Sequence, residues 1–244
     1  EDEIKFIWKE IPDEVIYEES LPMFVDEIEY VRDKSIAILQ DRTKDIYDRI
    51  SDFLSFVSKA QEVINEGGED DDLLGMIAEL KPVCNNEGKA SFDAFFEEVC
   101  YLLGELYVLG EEWIEVFARF KSELSKEVLE EFEKCRKENK MLDIWYENLM
   151  VYFVFRYFTK GVYDCDVISR AKFAFLGFFS IRGIAALRYR DNLKFDIDDM
   201  IVSAKAYSKE VEHSEGNIAY LMEEFLFSEE FEIANLQAVI KRRY

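Results

Sequence analysis

Histidine is almost missing from this chain: among 244 residues there is one, His213. That scarcity removes several kinds of chemistry. Carboxylate-bridged di-metal bundles need two Glu-x-x-His motifs, and Glu210-x-x-His213 is the one available here. Triad hydrolases would have to use the same imidazole, and neither a Gly-x-Ser-x-Gly nor a Cys-Gly signature accompanies it. No metal site is therefore expected. The four cysteines, Cys84, Cys100, Cys135 and Cys165, lie far apart with no Cys-x-x-Cys pair. They read as reduced thiols of a cytoplasmic protein, not as a disulfide frame or zinc site. Three prolines and ten glycines are too few for many short strands and tight turns. Gly-x-Gly-x-x-Gly and Walker patterns are absent, which excludes a doubly wound nucleotide-binding fold. Arg156 and Arg182 interrupt the apolar runs before they reach the roughly 20 residues of a membrane span. Basic residues are scarce too, 30 against 53 acidic ones, for a net charge of −23. So acidic a surface disfavours nucleic acid and anionic membranes; it either attracts a lysine-rich partner or serves solubility alone.

What remains is helical periodicity. The expected fold is all-α, a bundle of roughly nine to eleven helices around a central aromatic and arginine-containing pair. It forms one domain over 1–244, with an N-terminal arm at 1–20 and a loop-rich connection at 66–90. Ser20 reads as an N-cap with Pro22 in the first turn of a helix to Gln40, and apolar spacing sets a second helix up to Asn65. The run from Glu69 to Asp72 lacks the alternating ligands, glycine and closing glutamate of a calcium loop, so it reads as a solvated loop and acidic helix start. Ser91 caps the next helix, Gly110 punctuates, and residues 123–139 show a narrow apolar stripe typical of a surface helix. Gly216 reads as a bend in the last long helical region. The chain opens Glu1-Asp2-Glu3 without a signal peptide, as expected of the C-terminal part of a longer protein.

Residues 145–190 hold the densest aromatic content. From 151 to 194 there are eight basic and three acidic residues, a positive segment in an acidic chain, expected to be wrapped by the acidic helices. Tyr152, Arg156 and Lys160 share one helical face; Phe175, Phe178, Phe179 and Arg182 share another. A guanidinium among aromatics needs a carboxylate or a ligand anion. Arg156 is therefore expected to be buried or pocket-lining, either paired internally with Asp164, Asp166, Glu147 or Glu210, or anchoring a ligand. Glu210, Glu212, His213 and Asn217 form a polar cluster that is either a site or a capped helix junction.

Three segments in order carry a resemblance: the helix pair VRDKSIAILQDRTKDIYDRI at 31–50; NLMVYFVFRYF at 148–158 with Asp164, Asp166 and Ile181-Arg182 after it; and YSKEVEHSEGN at 207–217. Together they resemble the C-terminal helical region of the bacterial flagellin lysine N-methylase family. The resemblance implies methyl transfer from S-adenosylmethionine to lysine side chains of flagellin or another lysine-bearing protein. It places Tyr207, Glu210, Glu212 and His213 on the amine side, Arg156 or Arg182 at the cofactor carboxylate, and Asp164, Asp166 and Asn217 in structural roles. Family members also carry a cysteine-rich N-terminal region held to bind an iron–sulfur cluster. The four dispersed cysteines do not match it, so a cluster is expected only if such a region precedes Glu1. The alternative is a non-catalytic helical module that binds a basic partner or a separate catalytic domain.

Overall fold

The computed structural model describes residues 25–67, 71–83 and 88–242, and all regular elements among them are helices. The arm at 1–20, the Ser20 cap, part of the acid run and Cys84 lie outside the described residues. Helix α1 (Val25–Leu39) pairs with α2 (Ile46–Glu66), which starts where the Asp45 carboxylate accepts from Tyr47 N at 3.0 Å. The short α3 (Leu73–Ala78) interrupts the loop-rich connection. Ser91 Oγ accepts from Ala94 N at 3.1 Å and opens α4 (Phe92–Gly104); Gly110 N-caps α5 (Glu111–Glu123). Then come α6 (Lys126–Glu138), α7 (Met141–Tyr157), a 3₁₀ turn (Phe158–Tyr163) and α8 (Ile168–Asn192). The chain closes with α9 (Ile197–Val211), α10 (Glu215–Glu224) and α11 (Ile233–Lys241).

The centre is α8. Every residue from Ser169 to Leu187 is buried, as fits a helix without a polar face, and α2, α5, α6, α7, α9 and α10 all pack on it. Close approach is set by Gly177: a Cβ there would stand 2.4 Å from the Phe153 ring of α7, so alanine would force overpacking worth about 1–3 kcal/mol. Phe153 in turn meets Phe173 and Tyr207 edge-on, at 5.7 and 6.2 Å between centroids.

Two expectations need correction. Helix α6 is not a purely surface helix. Its narrow stripe, Leu129 and Phe132, is buried on α8, and Glu133 and Arg136 are buried with it. Arg136 Nε donates to Glu133 at 2.8 Å and its guanidinium stands 4.6 Å from the Tyr47 ring centre, so partners from α2 shelter charges that the local pattern assigns to solvent. The second correction concerns the bend. Gly216 lies inside the first turn of α10; the chain breaks earlier, over residues 212–214, where Ser214 Oγ caps α10 by accepting from Asn217 N at 3.1 Å.

Candidate functional site

The break after α9 determines the site. Val211 ends the helix, and Glu212 takes the C-cap position with its N–H on Ser208 O. From there its carboxylate meets the last turns of α7, where Tyr152, Arg156 and Tyr157 emerge. Tyr152 Oη donates to Glu212 Oε2 at 2.9 Å, and Tyr157 Oη donates to the same oxygen at 2.7 Å. Arg156 Nε stands 3.8 Å from Oε2, beyond hydrogen-bonding distance, and donates to Tyr157 Oη at 3.1 Å. Its guanidinium lies 5.9 Å from the Tyr152 ring centre and 5.6 Å from that of Tyr157. Lys160 Nζ also approaches the Tyr157 ring, at 5.9 Å. The carboxylate is enclosed, with 2 % of its side chain exposed, whereas the Arg156 side chain is 50 % exposed. Arg156 is thus at the rim and not buried, on the exposed face that Tyr152, Arg156 and Lys160 share.

Burial and the neighbouring Glu212 charge together raise both phenols; Tyr152 is pushed up to about 12 and Tyr157 further. Tyr207 is fully buried behind this cluster. Its hydroxyl has no hydrogen-bond partner among the described residues, and its pKa is raised, first by burial and then by the charge of Glu212.

The other expected site residues are spread over different surroundings. Glu210 is buried and accepts from the backbone N–H groups of Leu109 at 2.6 Å and Gly110 at 3.2 Å. Asn217 grips the same loop, accepting from Tyr107 N at 2.9 Å and donating to Tyr107 O at 3.0 Å. Both hold the α4–α5 connection. His213 is exposed. Asp164 pairs with Arg170 at 2.8 Å, and Asp166 Oδ1 accepts from Ser169 N at 2.9 Å, closing the start of α8. Arg182 is 4 % exposed, with its guanidinium 5.4 Å from the Tyr47 ring centre and the charges of Tyr146 and Glu133 nearby. A ligand would have to open the core to reach it.

Pockets open along these helices. One of about 370 Å³ lies between α5 and α9, with Trp113, Val116, Val202 and Ala206 as its apolar wall and Glu112, Lys205 and Lys209 among its polar groups. Lys209 Nζ bridges to Glu112 at 2.9 Å, which lowers the Glu112 pKa. A larger one, about 620 Å³, lies between α2, α8 and α11, lined in part by Ser55, Lys59 and the buried Lys172. Lys172 Nζ donates to Phe225 O at 2.7 Å, and burial lowers its pKa. Among the described residues no cluster of three or more His, Cys, Asp or Glu side chains gathers as metal ligands, and no helix is long and apolar enough to cross a membrane.

The sequence pattern placed Tyr152 and Arg156 on one face but did not show that Glu212 closes onto them, and Tyr157 was not singled out. Four-residue spacing along α7 was the available signal. In comparisons with known proteins, the family model described as the FliB lysine N-methylase C-terminal domain matches residues 32–239. No curated protein and no solved structure matches the chain.

Proposed function

The chain belongs to the FliB lysine N-methylase C-terminal domain family, and from that membership we propose that it is the helical part of an enzyme that methylates lysine side chains of flagellin in the bacterial cytoplasm. The observation that carries this reading is the extent of the family match, residues 32–239. The chemistry of the Glu212 cluster supports it. Methyl transfer to lysine needs a neutral amine, oriented toward the methyl group and relieved of one proton. A buried carboxylate edged by two phenols attracts the ammonium form, and its oxygen and the aromatic faces then orient the amine. Glu212 is the leading residue on the amine side, with Tyr207 behind it. His213, exposed and next to it in the chain, is proposed as the group that passes the released proton to solvent. Glu210 contributes by fixing the loop that borders the neighbouring pocket.

The donor set of the α5–α9 pocket fits S-adenosylmethionine: Trp113, Val116 and Val202 offer an apolar wall for an adenine, and Lys205 and Lys209 offer cations for a carboxylate. Bound there, the cofactor would supply an electrophilic methyl group. Arg156, on α7 and outside the lining of this pocket, and Arg182, which would require an opened core, are the less direct candidates for the cofactor carboxylate. An iron–sulfur cluster enters this reading only through a cysteine-rich region outside the present chain.

A second reading, a non-catalytic docking module, is favoured by one feature: Ile114, Ile201 and Val202 are exposed along α5 and α9, beside the acidic start of α5. Calorimetry with S-adenosylmethionine and mass analysis of flagellin incubated with both separate the two. Heat of binding and methylated lysines are expected. Neither, with flagellin still retained by the chain, would leave the docking module.

A further inference from the structure

Among the described residues, Glu133, Glu147, Glu210 and Glu212 are the most deeply buried acids. Three of them are saturated. Glu133 accepts from Arg136 at 2.7 Å, Glu147 accepts from Arg49 at 2.7 Å and Arg42 at 2.9 Å, and Glu210 accepts two backbone N–H groups. Glu212 differs. Its polar contacts all fall on Oε2, and among the described residues nothing donates to Oε1. Its nearest cation, Arg156, is 3.8 Å away, half exposed, and held by ring faces and one phenol instead of by the carboxylate. An enclosed carboxylate needs donors on both oxygens, from a cation or from N–H groups, yet here one oxygen takes both phenols and the cation supplied sits loosely on the solvent side.

We propose that Glu212, Tyr152 and Tyr157 form an alkylammonium-binding cage, and that Arg156 is its resident, displaceable occupant. An incoming primary ammonium is smaller than a guanidinium and carries its donors on a point. It can reach Oε1 between the tyrosine rings while Arg156 swings outward, which its half-exposed side chain allows without opening the core. Arg156 then acts as a selectivity gate: a weakly bound cation keeps the cage covered, and the ligand must displace it. The lysine-methylase reading is used here only to name the natural ligand, a lysine side chain; the cage itself rests on the geometry.

The test uses the full chain and butylammonium chloride as probe, with binding followed by ligand-observed NMR and by the Arg156 Nε–H resonance. Butylammonium is expected to bind saturably and to shift that resonance. If Arg156 covers the cage about nine-tenths of the time, Arg156→Gln tightens binding about tenfold, while Arg156→Lys restores the cover and stays near wild type. Glu212→Gln abolishes binding in both backgrounds; should it fail to fold, Tyr152→Ala, which removes a half-exposed wall, weakens binding instead. Equal or weaker binding in Arg156→Gln overturns the gate, and binding that survives Glu212→Gln, or that is undiminished in Tyr152→Ala, overturns the cage. No saturable binding even in Arg156→Gln overturns both. A chain that binds butylammonium as described but leaves flagellin unmodified retains the cage and loses the methylase reading; flagellin methylation without the binding pattern does the reverse.

Discussion

Near the start of α7, Glu147 is buried between Arg49, itself 4 % exposed, and Arg42; near its end, Glu212 is equally enclosed, but the one guanidinium near it among the described residues is half in solvent. One helix therefore serves two carboxylates under opposite conditions. At the first, charge is neutralised inside the protein by short, charge-assisted hydrogen bonds, and Arg49 also donates to Leu39 O at 2.7 Å, tying α1 and α2 to α7. That arrangement leaves nothing for a ligand to do. At the second, phenols satisfy one oxygen and the counter-charge is left outside. Burial alone does not mark a site; the incompleteness of the neutralisation does.

The largest test of this contrast is removal of one cation from each end. Arg49→Ala removes the buried partner of Glu147 and leaves its charge to the more exposed Arg42 alone, at an expected cost of up to about 3–5 kcal/mol in urea unfolding. Acidification probes the same pair. Burial raises the Glu147 pKa, but the hydrogen bonds and charges of Arg42 and Arg49 outweigh it, so the net shift is downward. With the folded value below the unfolded one, the contribution is complete above the ordinary carboxylate range and is lost as pH falls through the folded pKa. Urea midpoints of wild type should thus decline in acid along a limb that Glu147→Gln, less stable at neutral pH, lacks.

Smaller effects are expected at the Glu212 end. Tyr207→Phe removes a buried hydroxyl that has no partner among the described residues. It should be neutral or stabilising by up to about 1 kcal/mol, while a loss of methylation in that variant would place the hydroxyl on the substrate. Arg156→Ala is expected to cost less than about 1 kcal/mol, as for other exposed pairs. A double-mutant cycle should give Arg156 and Glu212 a coupling well below that of Arg49 and Glu147; equal couplings would erase the distinction between the two ends.

The all-helical class, the Ser91 cap and the central position of α8 could be read from the sequence, because each depends on local spacing or on a charge contrast within one segment. Buried charges could not. Glu133 and Arg136 look like a solvated face until Tyr47, 86 positions from Glu133, supplies a hydrogen bond. Likewise Glu212 meets Tyr157 and Tyr152 across 55 and 60 positions. That meeting depends on where α9 stops, and Gly216, the obvious local breaker, lies five residues after its last residue, Val211. The aromatic neighbourhood of Arg156 in sequence does not fix how enclosed it is: of a residue expected to be buried or pocket-lining, half the side chain is in solvent, beside the Tyr152 and Tyr157 rings.

The turn that carries Glu212 also grips the loop at 107–110 through Glu210 and Asn217. Three consecutive tasks, anchoring a surface loop, presenting a carboxylate and starting a new helix, thus share residues 210–217. The loop side chains Tyr107, Val108 and Leu109 are exposed, so a protein pressing on them leans on the same short span that aims Glu212 at α7. Docking and amine capture then draw on one source of rigidity. If the proposed cage binds an amine, a partner that holds this loop is expected to tighten that binding, and the amine to tighten the partner's by the same factor.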